Sequence, residues 1–441
     1  MARSADSKRR DKKPATKPDR KPNRAAPEPR WRILARSNLE QLKRRVRELA
    51  RDYAAGENDA AALFAEFHPA APAPAAAKLA DAQLALARAH DFASWPKFQR
   101  AVTLFNAICD DDADAVAALV RKHPELLHER VNGVSSNWGP PLACAVQVGA
   151  ERVFSALLPI SGQDVQWALG RATLKGRTDM ARAMLAKGAV IEPGEAMGPC
   201  ESLNVEGLRF LAEIGAPLTD EHGDQLAPVA LLLEGYHRDP PAKHACLEFF
   251  AGRGIDFPDT PAMAFHRGRI DLLQAHLQRD RGLLSQRLAY RDIYPLALGC
   301  HEDESLGLHG APLDGTTLLH MAADFDETEI AGWLIESGAD ANACALVDDK
   351  GFGGHTPLFN IVVSQAYLCG RQRDGAFVRM LLEQGADPNA RASLRKGIRF
   401  IADETVHEYK DATPIGFGRA FREKRWVSKE AMQEIAGRGG V

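Results

Sequence analysis

The chain has 441 residues, 45% hydrophobic and 26% charged, a balance that suits a soluble globular protein and excludes a fibrous or collagen-like one. Such a length can bury one to three cores, and no apolar run approaches membrane-spanning length. The net charge of −3 hides an asymmetry: residues 1–32 carry twelve Lys/Arg against four Asp/Glu, which leaves −11 for the remainder.

In chain order, residues 1–30 come first, rich in Lys, Arg, Pro and Ala. They cannot bury enough apolar area to offset ordering entropy, so the segment reads as a disordered basic tail without the apolar stretch of a secretory signal. Residues 31–105 read as a helical module. Ser37-Asn38-Leu39-Glu40 has the form of a capping box, with Ser37 bonding the first amides and Glu40 reaching back. Leu39, Leu42, Val46, Leu49 and Tyr53 then mark one stripe of an amphipathic helix. A short helix over 59–67, a Pro/Ala linker and two more helices follow, the last capped by Ser94.

From Cys109 the texture changes to short helices, Ala-rich then Leu-rich, the latter usually stopping at glycine. Gly162, Gly188, Gly215, Gly254, Gly338, Gly385 and Gly439 are these stops, and glycine there supplies a left-handed residue after a helix end. The interval from Gly254 to Gly338 has room for one further unit around "AFHRGRIDLLQAHLQRDRGLL". A wobbling period near the mid-thirties means helix pairs stacked side by side.

The segment "LDGTTLLHMAADFDETEIAGWLIESGADANA" resembles an ankyrin repeat through Asp314, Gly315, Thr317, Leu319, His320, Ala322, Ala323, Gly338, Ala339, Asp340 and Asn342. A second copy keeps Thr356, Pro357, Leu358, Gly385, Ala386, Asp387, Pro388 and Asn389, and a third keeps Thr413, Pro414 and Ile415. The resemblance implies an all-α, ankyrin-type solenoid with short β-hairpin fingers in its C-terminal repeats. It places degenerate helix pairs over 106–310 and finger-bearing repeats over 311–441. Thr317, Thr356 and Thr413 should cap the inner helices, Asp314-Gly315 should form a hairpin turn, and His320 should bond the local turn rather than do chemistry. Residues 38–104 are similar to a small helical module found before such repeats in many bacterial proteins. An excess of Arg over Lys, 39 to 17, suits a GC-rich bacterial genome.

The second copy is stretched between Asn342 and Thr356 and again before Gly385, and the third carries a long insertion after Asn389. There "IRFIADETVHEY" alternates well enough for an extended β-hairpin. Repeat proteins put insertions on one face, often the one that binds. The partner-contacting residues expected on the first tip are Asp348, Asp349, Lys350 and Phe352. On the second they are Arg391, Arg395, Lys396, Arg399 and Phe400, since aromatic and Arg side chains are enriched in binding hot spots. Deleting Ala390–Asp411 is expected to abolish partner capture while sparing the fold.

No catalytic constellation occurs, so the chain is expected to be no enzyme, with no cofactor and no metal. "GFGG" at Gly351–Gly354 lacks the strand and lysine of a phosphate cradle. "HEDESLGLH", with His301, Glu302, Asp303, Glu304 and His309, reads as a solvated loop before it reads as a cation site. Seven cysteines, scattered singly, fit small hydrophobes in a reducing, cytoplasmic compartment. The expected function is a protein-interaction scaffold. The alternative is phosphate binding to nucleic acid through the basic tail, which offers no aromatic residue for base stacking before Trp31.

Overall fold

The computed structural model describes residues 33–34, 36–301, 307–399 and 403–441. The basic tail lies outside them, as do Glu302, Asp303, Glu304 and Phe400. The chain divides into two compact units, one of residues up to 106 with 130–137, the other of 107–129 with 138–441.

The first unit is built on four helices, α1 Leu39–Ala54, α2 Asn58–Phe67, α3 Leu79–Ala89 and α4 Trp95–Cys109. Asn38, not Ser37, caps α1: its side chain accepts from the amides of Glu40 and Gln41, while Ser37 Oγ turns back to donate to Leu34 O. An amide oxygen one residue nearer the helix is better placed for the N2 and N3 amides than a hydroxyl outside it. Val46 and Tyr53 are the buried end of the predicted stripe, and Tyr53 stacks on Phe64 with ring centroids 3.7 Å apart.

The second unit opens with α5 Ala113–Lys122 and then runs as helix pairs. These are α6 Pro141–Val148 with α7 Glu151–Leu157, α8 Asp164–Lys175 with α9 Thr178–Leu185, and α10 Met197–Glu201 with α11 Val205–Glu213. Next come α12 Ala227–Glu234 with α13 Pro240–Ala251, and α14 Pro261–His266 with α15 Ile270–Arg279, the unit for which the glycine spacing left room. A single turn, α16 Tyr290–Ile293, precedes α17 Leu318–Phe325 and α18 Thr328–Glu336. The stretched copy holds α19 Pro357–Val362, the extra turn α20 Gln365–Leu368 and α21 Ala376–Glu383; the last holds α22 Pro414–Ala420 and α23 Lys429–Gly437.

The first helix of each pair packs on the first helix of the next along α6, α8, α10 and α12, and again along α17, α19 and α22. The second helices back them in a parallel row that includes α11 with α13 and α21 with α23. This is the all-α, ankyrin-type stack that the repeat spacing implied. Small side chains allow the close approach: Ala143, Ala168, Ala172, Ala322 and Ala323 are all fully buried. The seven glycine stops all have positive φ, from +54° at Gly162 to +101° at Gly338, the conformation that a side chain disfavours; six follow a helix end, whereas Gly162 lies five residues past α7, in the turn that leads into α8.

Among the described residues, the two strands lie in the C-terminal repeats. Strands β1 Ala392–Lys396 and β2 His407–Ala412 pair antiparallel, with Leu394 opposite Tyr409 and an irregularity between Ala392 and Leu394. The hairpin expected within 398–409 is therefore displaced outward. Its strands start at Ala392 because Leu394 and Tyr409 both have a core to enter, and Tyr409 packs on Phe417 at 5.0 Å. Among the described residues of the segment expected to alternate, its last three, His407 to Tyr409, pair.

Candidate functional site

Each finger is tied to the next by backbone hydrogen bonds. Leu288 N donates to Thr316 O and Gly315 N to Leu288 O; Leu346 N then donates to Gly315 O, and Gly353 N to Ser393 O at 2.7 Å. With the β1–β2 ladder, these bonds carry a ribbon across the tips. Asp314-Gly315 does form a turn, with Gly315 at φ +70°.

Inside the ribbon the repeat motif does structural work. Thr317, Thr356 and Thr413 are all N-cap residues, and Thr413 Oγ1 accepts from Gly416 N at 3.1 Å. His320 is fully buried; its Nε2 donates to His355 O in the next finger at 3.0 Å, and its Nδ1 accepts from the Thr317 hydroxyl at 2.9 Å. His355 in turn reaches Pro312 O at 2.9 Å. Burial drives both imidazoles to the neutral form: the pKa of His355 is lowered to about 4 and that of His320 falls well below the ordinary value. Pro357 and Pro414 occupy the first helical position, where no amide partner is needed.

The expected contact residues fall into three groups. Asp348 folds the first tip: its Oδ1 accepts from the amides of Lys350 and Phe352 at 2.9 and 2.8 Å, which holds its carboxyl below the usual range. Its other oxygen pairs with Arg395 across the finger junction, and the Arg395 guanidinium lies over the Phe352 ring at 4.4 Å. Asp349, Lys350 and Arg391 stand exposed, Arg391 bonded to Asp411. Lys396 departs from the expectation. It is 2% exposed and donates Nζ to Gly307 O at 2.9 Å, because β1 alternates and places it on the inward side. Its ammonium is therefore removed from the outer contact surface.

Two residues that the sequence reading passed over join the first tip. Leu346 and Val347 are 62% and 60% exposed, an apolar pair beside Phe352 on an otherwise charged finger. Together with Pro312, Leu394 and Arg395 they line a cavity of about 390 Å³ between the fingers. The available signal was "ALV", an apolar run inside a loop with no helix to bury it.

The ribbon tolerates no side chain at its junction. A Cβ on Gly353 would sit 1.9 Å from Leu346 O, and its φ is +123°. Gly353→Ala should cost about 1–3 kcal/mol from backbone strain alone, read as a lower urea midpoint with faster exchange of the amides at position 353 and Leu394. An unchanged midpoint would show the fingers to be uncoupled.

Behind the inner helices lies a buried charge cluster. Arg238 Nη2 meets Asp324 Oδ2 at 3.1 Å, and His309 Nδ1 meets the same oxygen at 2.9 Å, with all three residues buried. Burial by itself would raise the Asp324 pKa, but His309 and Arg238 outweigh it and hold the carboxylate ionised. Lys243 lies 3.2 Å from His266 Nδ1 and 4.0 Å from Glu327, and both Arg238 and Lys243 lie over the Phe325 ring. Burial lowers the Lys243 pKa to about 8, against the pull of Glu327. His309 is thus no part of a solvated loop: it is locked between Asp324 and the Tyr294 hydroxyl at 2.9 Å. His301, at the other end of that stretch, is exposed and binds Glu234.

No group of three or more potential metal ligands is found among the described residues. No helix among them is long and apolar enough to cross a membrane.

Residues 314–346 match the ankyrin repeat family model. The chain contains an ankyrin repeat. That stretch runs from the Asp314-Gly315 turn through α17 and α18 to the first finger at Leu346, so the matched repeat contributes the motif residues Thr317 and His320 and one edge of the cavity. A crystal structure of the human ASB11 ankyrin repeat domain is similar over 77% of this chain and 98% of its own, at 14% identity and a TM-score of 0.22. No curated protein matches the chain.

Proposed function

We propose that the chain is a non-catalytic scaffold that binds another protein through its joined fingers and the inner-helix face beneath them. Ankyrin repeats are in general protein-interaction modules. The observation that carries the reading is the apolar pair Leu346–Val347, held out on a finger whose tip is fixed by Asp348 and cross-braced to Arg395. Exposed aliphatic groups beside an aromatic ring and a guanidinium have the composition of a binding hot spot, and a braced tip loses little entropy when it docks. Asp349, Lys350, Phe352, Arg391, Arg395 and Arg399 are the polar and aromatic part of the proposed contact surface.

Point substitutions test this better than deleting Ala390–Asp411. Leu394 and Tyr409 are buried in the last repeats, so that deletion would remove core along with surface. Leu346→Ser with Val347→Ser should reduce partner capture at least tenfold while leaving the thermal midpoint within about 2 °C, since exposed substitutions move stability little. A partner retained at full strength by this double variant would contradict the reading.

A further inference from the structure

The inner-helix face holds a second cavity, of about 570 Å³. Its floor is α12, through Ala227, Ala230 and Leu231, and its walls are tyrosines: Tyr236 on one side, Tyr290 and Tyr294 on the other with ring centroids 4.8 Å apart. Two carboxylates, Glu201 and Glu234, face into it. A floor of aliphatic carbon, walls of aromatic rings and two anions suit an occupant with an apolar stem and a charged head.

The hydrogen-bond inventory fixes the sign of that head. Tyr236 Oη donates its only hydrogen to Glu201 Oε1 at 2.9 Å. His301 approaches Glu234 with its amide at 2.6 Å and its Nδ1 at 2.7 Å. Deeper in, Asp324 is ionised and takes the proton of His309 Nδ1, so neutral His309 presents a bare Nε2, to which Tyr294 must donate. These hydroxyl and imidazole hydrogens are therefore spent inside the protein. What they leave facing the cavity are oxygen lone pairs, on two carboxylates and two phenols. Arg399 is the cationic side chain of the same lining; the walls away from it present acceptor oxygens and aromatic faces, which are complemented by a cationic donor.

We propose that this cavity takes the basic side chain of an arginine or lysine of the bound protein, its methylenes on α12 and its head between the tyrosines and Glu234. This rests on the scaffold reading above and supplies the chemistry of its partner. Glu234 is the stronger anchor, because Arg171 lies within electrostatic reach of Glu201. Arg399 lines the same cavity from the last finger. Its charge opposes the incoming one, which gives it a gating role at this cavity.

The test uses the full chain and four capped pentapeptides, acetyl-Gly-Gly-X-Gly-Gly-amide, with X as arginine, lysine, citrulline or glutamate, observed by saturation-transfer NMR. Citrulline keeps the shape of arginine and removes its charge. Saturation of the arginine and lysine methylenes is expected, with none for citrulline or glutamate. Glu234→Gln should weaken arginine binding about tenfold, the scale of one charge-assisted hydrogen bond; Arg399→Gln should strengthen it severalfold. Equal saturation of citrulline and arginine, preference for glutamate, or no saturation of any peptide would overturn the inference, and the first comparison needs no variant to fold. If the peptides fail while Leu346→Ser with Val347→Ser still abolishes partner capture, the cavity assignment falls and the scaffold reading stands. If arginine binds and that double variant is without effect, the scaffold's finger surface falls instead.

Discussion

Lowering the pH from 7 to 5.5 should destabilise the repeat unit by about 4 kcal/mol, from three histidines at roughly 1.4 kcal/mol each for the one pH unit below the unfolded pKa near 6.5. His266, His320 and His355 are fully buried, and each donates Nε2 to a backbone carbonyl: Ile293, His355 and Pro312 respectively. Desolvation is the largest cause of every shift, lowering His355 to about 4 and the other two well below their ordinary value. The sign follows from linkage. Below the unfolded pKa near 6.5 the unfolded chain takes up protons that the folded chain refuses, so stability falls as pH falls. For His355 the loss continues until about pH 4, where the folded form protonates too. Urea titrations at pH 7.0 and 5.5 measure it. Equal midpoints would mean that these imidazoles are hydrated or already charged in the native state.

Asp324→Ala should cost about 3–5 kcal/mol, the penalty for leaving a buried charge without its counterion. The carboxylate neutralises Arg238 and orients His309, and the Arg238 guanidinium sits where water does not reach. Replacing both partners, Arg238→Met with Asp324→Leu, should recover most of that loss, because the desolvation penalty disappears with the charges. A double-mutant cycle in urea separates the pairwise coupling from the packing of each side chain. If the two single variants add to the double, the pair is not coupled and the charges are individually satisfied. The cluster links the loop between α12 and α13 to α17 through side chains 86 residues apart, so its loss should loosen the stack in its middle and spare α6 to α9.

Much of the stack was legible before coordinates. Glycine stops announce themselves because only glycine is at ease with positive φ, and Thr317, His320, Thr356 and Pro414 announce helix starts because caps are local chemistry. What stayed hidden depends on distance in sequence. Nothing in "YHRDPPAKH" indicates that Arg238 and Lys243 will be buried over Phe325, and nothing around α17 indicates that Asp324 and Glu327 are interior. His309 looked solvated because its neighbours in the chain are acidic, while its neighbours in space are Tyr294 and Asp324. On the fingers, charge and aromatic content drew attention to Lys396, but the register of β1 turns it inward; the same criterion overlooked Leu346 and Val347, whose significance lies in being apolar and exposed.

The contact surface itself is best tested by hydrogen–deuterium exchange on the full chain, free and saturated with its captured partner. Slower exchange is expected at Leu346–Phe352, at Arg391–Arg399 and along α12, with the outer helices α9 and α11 unchanged. Protection confined to those outer helices, with the fingers exchanging as freely as before, would contradict the account.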